Sequence, residues 1–287
     1  MIENRLHPER KVSAIFLPSD FSEGSEIAFV HALKLALASK ALLTVLHVQP
    51  NSIANWEDFP GVRETLERWK LIPEGSPKSA VAKLDIEVRK VIANSSDPVK
   101  ECINYLQVND ADLIVLAVHP REGIMRWLGK SVGEPIVRDA KQMTLFIPNG
   151  VNGFVSREDG SVTLRNTLIP IAETPDPQPA VEAVMRLIEN LELSAGTVTL
   201  LRVNPPVDAK PVVIPDNSGW TWNELVLEGD PAHMILKAAD QLSADLIVMT
   251  TDGPDGFLDG LRGTTSERVL SRAKCPVGNL PVDSLLG

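Results

Sequence analysis

Two cysteines in 287 residues, Cys102 and Cys275, cannot build a disulfide framework. Both lie on apolar-patterned segments, which predicts buried, inert thiols. The five histidines are scattered, and none combines with cysteine or carboxylate at metal-ligand spacing. Asp252, Asp255 and Asp259 alternate with glycines, but not at EF-hand spacing, so a solvated turn is expected there. Aromatic residues make up only 5% of the chain. Trp56, Trp69, Trp127, Trp220 and Trp222 are too dispersed for a base-stacking platform and read as packing residues. Basic side chains are outnumbered 28 to 38, a net charge of −10, which argues against nucleic acid or anionic membranes as main partners. No apolar run approaches the ~18 residues that span a bilayer, and the opening MIENRLHPERK has no apolar h-region. The expected location is the cytoplasm.

What the chain does contain, it contains twice. Asp97-Pro-Val-Lys100 leads to Ala111-Asp-Leu-Ile-Val115, and Asp230-Pro-Ala-His233 leads to Ala244-Asp-Leu-Ile-Val248. The offset is 133 at both anchors (230 − 97 and 244 − 111), and it carries on to Gly123 and Gly256, Glu134 and Glu267. A period this long marks a duplicated domain rather than a solenoid unit of ~20–50 residues. The expected domains are 1–149 and 163–287, joined by a charged, glycine-bearing linker at 149–164.

Within each copy, short continuous apolar runs alternate with helical spacing. Strands are predicted at 12–17, 41–48, 86–91, 113–118 and 143–147, with helices at 23–38, 97–109 and 131–140 and a mixed helix and loop at 49–83. The second copy repeats the plan with strands at 167–171, 197–203, 222–227 and 246–250, and helices at 176–193, 231–242 and 264–273. Pro205, Pro206, Pro211 and Pro215 replace one helix by a loop. Pro276–Pro281, broken by Gly278, reads as a poor strand placed at an edge. Alternation of this kind predicts α/β sheets with parallel strands, covered on both faces, whose ligands bind beyond the carboxyl ends of the strands.

Leu17-Pro-Ser-Asp-Phe-Ser22, an Ala-rich helix and Leu43-Thr-Val-Leu-His-Val48 resemble the opening of a universal stress protein domain. Ala244–Gly253, Arg262-Gly-Thr-Thr-Ser-Glu-Arg-Val-Leu270 and Lys274-Cys-Pro-Val277 resemble its close. The resemblance implies two tandem Rossmann-like domains, of the adenine-nucleotide alpha hydrolase type, each with strand order 3-2-1-4-5. It also implies pairing of the domains through their fifth strands as an intramolecular pseudo-dimer, with a homodimer as a further option.

Nucleotide-binding members carry an aspartate after strand one and a G-x-x-G-x(9)-G-[S/T] loop after strand four. There the glycines let backbone N–H groups approach phosphate. Copy one has Asp20 but holds Ala117, Pro120, Lys130 and Ser131 in the loop; copy two holds Thr250, Gly253, Gly263 and Thr264, with Ala172 in place of the aspartate. Pro120 has no N–H to offer, and Asp252 would repel polyphosphate. The nucleotide-binding residues implied are Asp20, Val203, Thr250, Gly253, Gly263, Thr264 and Thr265; the residues by themselves read Asp20 first as a helix N-cap and Gly263-Thr264-Thr265 as a plain helix start. No nucleophile–base pair can be placed from sequence, so no catalytic residue is predicted. The expected function is a non-enzymatic stress-response or regulatory protein that senses ATP or another adenine nucleotide weakly through its second domain and acts through unidentified protein partners. The alternatives are a weak ATPase or other nucleotide-handling enzyme, and a ligand-free interaction scaffold.

Overall fold

The computed structural model describes residues 12–50, 55–121, 124–126, 142–215, 219–251 and 264–282. The helix expected at 131–140 and the aspartates at 252, 255 and 259 lie outside them. The first half runs β1 (Ala14–Pro18), α1 (Glu23–Ser39), β2 (Leu42–Gln49), α2 (Val62–Arg68), α3 (Ser79–Ala82), β3 (Glu87–Asn94), α4 (Pro98–Val108), β4 (Leu113–Arg121), β5 (Ile124–Arg126) and β6 (Met143–Pro148). The second runs β7 (Asn166–Ile171), α5 (Gln178–Asn190), β8 (Gly196–Val203), β9 (Trp220–Leu227), α6 (Pro231–Gln241), β10 (Leu246–Thr251), α7 (Thr265–Leu270) and β11 (Val277–Pro281). The proline-rich stretch after β8 has no helix among its described residues, because a proline inside a helix breaks the hydrogen-bond ladder. α7 is shorter than the 264–273 expected, ending at Leu270 with Ser271 as its C-cap.

Ten strands form one sheet in the order β3-β2-β1-β4-β6-β11-β10-β7-β8-β9, and β5 pairs with β4 at one side. Each half is therefore a parallel sheet of order 3-2-1-4-5. The two fifth strands meet antiparallel, Phe146 opposite Val277 and Leu145 opposite Gly278. β11 is thus the outermost strand of its own half, and the expected pairing of the fifth strands covers it. All five of its residues are buried. Its prolines do no damage, since Pro281 ends the strand and Pro276, just before it, offers its carbonyl to Ile247 N at 3.0 Å. Adjacent residues alternate between faces, so Phe16 enters one apolar cluster and Leu17 the other. Both clusters draw on both halves: Leu17 shares one with Val248 and Leu280, and Phe16 shares the other with Ile247 and Val277.

The repeated motifs have repeated work. Asp97 and Asp230 cap α4 and α6, accepting from Lys100 N at 3.2 Å and His233 N at 3.0 Å. Asp112 accepts from Ser13 N and Ala14 N at 2.8 and 3.0 Å, tying the start of β1 to β4. Asp245 does the same for β7, accepting from Arg165 N and Asn166 N, both at 2.8 Å. Asp112→Ala and Asp245→Ala are each expected to cost about 1–3 kcal/mol, because each strands two backbone donors. Urea midpoints would check this, and a cost in only one copy would contradict the shared role.

The segment expected as a linker is a built strap. Ser156 N bonds Ser161 O and Thr163 N bonds Phe154 O, both at 2.9 Å, so residues 154–163 fold back on themselves. Phe154, Val155 and Leu164 are buried. Trp69 Nε1 and Arg68 Nε both donate to Arg157 O, at 3.1 and 2.8 Å, and Arg157 pairs with Glu26 at 2.6 Å. The strap thus staples α1 to α2. At its start Gly153, with φ at +70°, passes so close to His31 that a Cβ there would sit 2.2 Å from Nε2.

Candidate functional site

Strand register fixes which positions of the two copies correspond. Ile15 pairs with Leu43 and Leu113, and Thr167 pairs with Val198 and Leu246. Counting along the strands, Asp20 corresponds to Ala172, Phe21 to Glu173, His47 to Arg202, Val48 to Val203 and Ala117 to Thr250.

In the first half this region is filled by side chains. Asp20 Oδ1 accepts from Ser22 N at 3.0 Å, Ser22 Oγ at 2.5 Å and Ser25 Oγ. The N-cap of α1 is Ser22, whose hydroxyl accepts from Ser25 N at 3.3 Å, so Asp20 braces the cap rather than forming it. Phe21, at φ 61°, lays its ring on His47 with centroids 3.9 Å apart, and Phe59 meets it edge-on at 5.1 Å. His47 Nδ1 bonds Ser19 O at 2.8 Å. Rings therefore occupy the ends of β1 and β2. Asn149 lies against the start of α1, its Oδ1 3.1 Å from where a Cβ of Gly24 would stand. Past Ala117 the chain makes no phosphate-type turn. β4 runs through Pro120 to Arg121 and pairs with β5, Pro120 opposite Met125. Lys130 and Ser131 lie outside the described residues.

The second half is open at the same place. A cavity of about 440 Å³ sits beyond β7, β8 and β10. Val203, Thr250, Thr264 and Thr265 line it together with Ala172, Glu173 and Arg202. Asp20, in the other half, is not among them, and Gly253 and Gly263 lie outside the described residues. Thr264 caps α7 by accepting from Glu267 N at 3.3 Å. Arg268 then ties α7 to α6 through two bonds to Asp230, at 2.8 and 2.5 Å, and these hold the Asp230 carboxyl down to about 2. Val203, Ile235 and Met249 give the cavity an apolar side; Thr250, Thr251, Thr265 and Ser266 give it hydroxyls that can bond sugar or phosphate oxygens.

Arg202 and Glu173 escaped the sequence reading. Arg202 is buried, donates to Lys210 O at 2.6 Å and stands 3.8 Å from Glu173. The signal was present: an arginine at the end of the apolar run Val198–Leu201 must find partners where it is buried. In effect the ring stack Phe21–His47 of the first half is an ion pair in the second. Both cysteines are buried, and burial pushes the Cys102 thiol up and the Cys275 thiol to about 12, so neither is a thiolate at neutral pH. Trp69 and Trp220 pack as expected, whereas Trp56 is exposed. Among the described residues no helix is long and apolar enough to cross a membrane, and no group of three or more His, Cys, Asp or Glu could hold a metal ion.

The Universal stress protein family model matches residues 12–148 and 221–278, more than half of the chain. A universal stress protein of Methanocaldococcus jannaschii is 48% identical over 52 residues, 18% of this chain and 31% of the relative's length. The crystal structure of a universal stress protein from Archaeoglobus fulgidus superposes with a TM-score of 0.61 at 19% identity, covering 93% of this chain and 96% of that one. A functionally unknown protein from Pseudomonas aeruginosa gives 0.59 at 14% identity, covering 96% and 95%. With the family pattern in both halves and the sheet order it requires built twice, the chain belongs to the universal stress protein family.

Proposed function

We propose that the protein is a non-enzymatic stress-response or regulatory protein of the cytoplasm, which senses an adenine nucleotide weakly through its second half and acts through protein partners. The observation that carries this reading is the 440 Å³ cavity that gathers Val203, Thr250, Thr264 and Thr265 beyond the ends of β7, β8 and β10. The matching place in the first half holds the Phe21–His47 stack. Binding is weak because Ala172 supplies no carboxylate for a ribose, and Arg202, the lining cation, is already engaged by Glu173 at 3.8 Å and by Lys210 O at 2.6 Å. Catalysis is not part of the reading: the lining hydroxyls have no histidine or lysine beside them among the described lining residues to activate them, and the Glu173 carboxylate is engaged by Arg202.

Isothermal titration with ATP tests it. The expected dissociation constant is roughly 0.1–1 mM, a binding free energy near −5 kcal/mol. Thr250→Trp should abolish binding and Phe21→Ala should leave it unchanged; equal binding by Thr250→Trp and the parent excludes this cavity. Phosphate release should stay below roughly 1 s⁻¹, the low end for ordinary enzymes. The second reading, a ligand-free scaffold, draws on Arg202 being already partnered by Glu173 and Lys210 O. It predicts no heat with ATP at any concentration.

A further inference from the structure

A second cavity, of about 310 Å³, lies at the seam where β6 meets β11. Its walls come from both halves in corresponding pairs, Leu35 of α1 with Leu187 of α5 and Leu113 of β4 with Leu246 of β10. The correspondence breaks on the floor. Leu145 of β6 stands opposite Gly278 of β11, and the two are counterparts at the repeat offset of 133. Neither ordinary reason for a glycine applies at 278. Its φ lies outside the left-handed region, and a Cβ built there would meet its nearest atom, Val248 Cγ2, at 3.5 Å, an ordinary van der Waals contact. Glycine inside a strand weakens it, having no side chain to pack. What this glycine leaves is room, on the floor of the cavity and in the middle of the sheet.

We infer that the seam cavity is a binding site for a small, uncharged, mainly apolar molecule of one or two rings. A mainly aliphatic lining favours an apolar guest, and the volume is at the lower end for ligand pockets, ~300–1,000 Å³. The charges at the rim, Arg186 and Glu189, are of opposite sign and select neither an anion nor a cation. Glu189 and Asn190 are exposed, so the cavity opens to solvent past the end of α5. The site is independent of the nucleotide reading, since the two cavities share no lining residue.

The test is a fluorescence titration of the full chain with the uncharged probe N-phenyl-1-naphthylamine. The parent should bind it saturably, one probe per chain. Gly278→Leu, which restores the first copy's residue, should weaken binding at least tenfold with an unchanged circular dichroism spectrum. Leu187→Trp, which fills the cavity from the partly exposed side of α5, should do the same and decides the matter if Gly278→Leu does not fold. Saturating ATP should not displace the probe. Absence of saturable binding by the parent, undiminished binding by either folded variant, or displacement by ATP each overturns the inference.

Discussion

Phe146→Ala should destabilise the protein by about 3–5 kcal/mol, the usual cost of removing a fully buried aromatic ring, and the loss should reach both halves. Phe146 is fully buried on β6, opposite Leu116 of its own half and Val277 of the other. The apolar cluster it belongs to runs from Phe16 to Ile247 and Leu270 without a break at the seam. A cavity at that point removes packing from two sheets together. Hydrogen exchange read by mass spectrometry gives the measurement. Protection should fall in peptides from β1 and β4 and equally in peptides from β7 and β10. A loss confined to the first half would show that the halves unfold independently.

Acid should destabilise the protein well before its carboxylates titrate, through His31. Its Nδ1 donates to Ile27 O at 2.8 Å, and its Nε2 accepts from Phe154 N and Val155 N at 3.0 and 3.2 Å. A carbonyl can only accept and an N–H can only donate, so the ring is neutral with its proton on Nδ1. Burial lowers its pKa from 6.5 to about 4, against the smaller raising effect of the Ile27 carbonyl. Between those values the unfolded chain binds a proton that the folded chain does not, so stability rises with pH. The full contribution is present above 6.5 and is lost as the pH falls toward 4, roughly 3 kcal/mol in all. Asp159 and Asp230, both held down to about 2, lose their contributions only below 3.8. Urea unfolding of the parent and of His31→Gln at pH 7 and pH 4.5 separates the two effects. The parent should lose markedly more stability than the variant over that interval, and parallel losses would rule His31 out.

The parts of this fold legible in the sequence were those with local causes. Apolar runs placed the described strands other than the short β5, helical spacing placed α4 and α6, and the prolines after β8 argued against a helix there. What failed depended on contacts far apart in the chain. β11 reads as a poor strand because nothing in Val277–Pro281 itself reveals that β6, some 130 residues earlier, pairs with it; only the family resemblance implied that pairing. The glycines and charges of residues 149–164 are those of a loop and gave no sign that the segment packs against α1 and α2. The partner that orders them, His31, sits on α1 and faces Gly153 only after folding. The candidate site divides the same way. The closing motif pointed to Thr250, Thr264 and Thr265, which the structure gathers in one cavity. The exchange of Phe21–His47 for Glu173–Arg202 emerges only when strand register shows which positions correspond.

The antiparallel pair of β6 and β11 has a consequence for how the two sites can differ. Two separate chains that met through such strands would dissociate on dilution and would present two identical clefts. Here the halves are tethered, so the effective concentration of one for the other is set by the strap and not by the amount of protein. The pairing survives dilution, and each chain always carries one half of each kind. The first half can therefore close its cleft with rings and serve as a rigid partner, while the second keeps an open cavity. Covalent linkage fixes the ratio of the two kinds of half at one to one in every molecule.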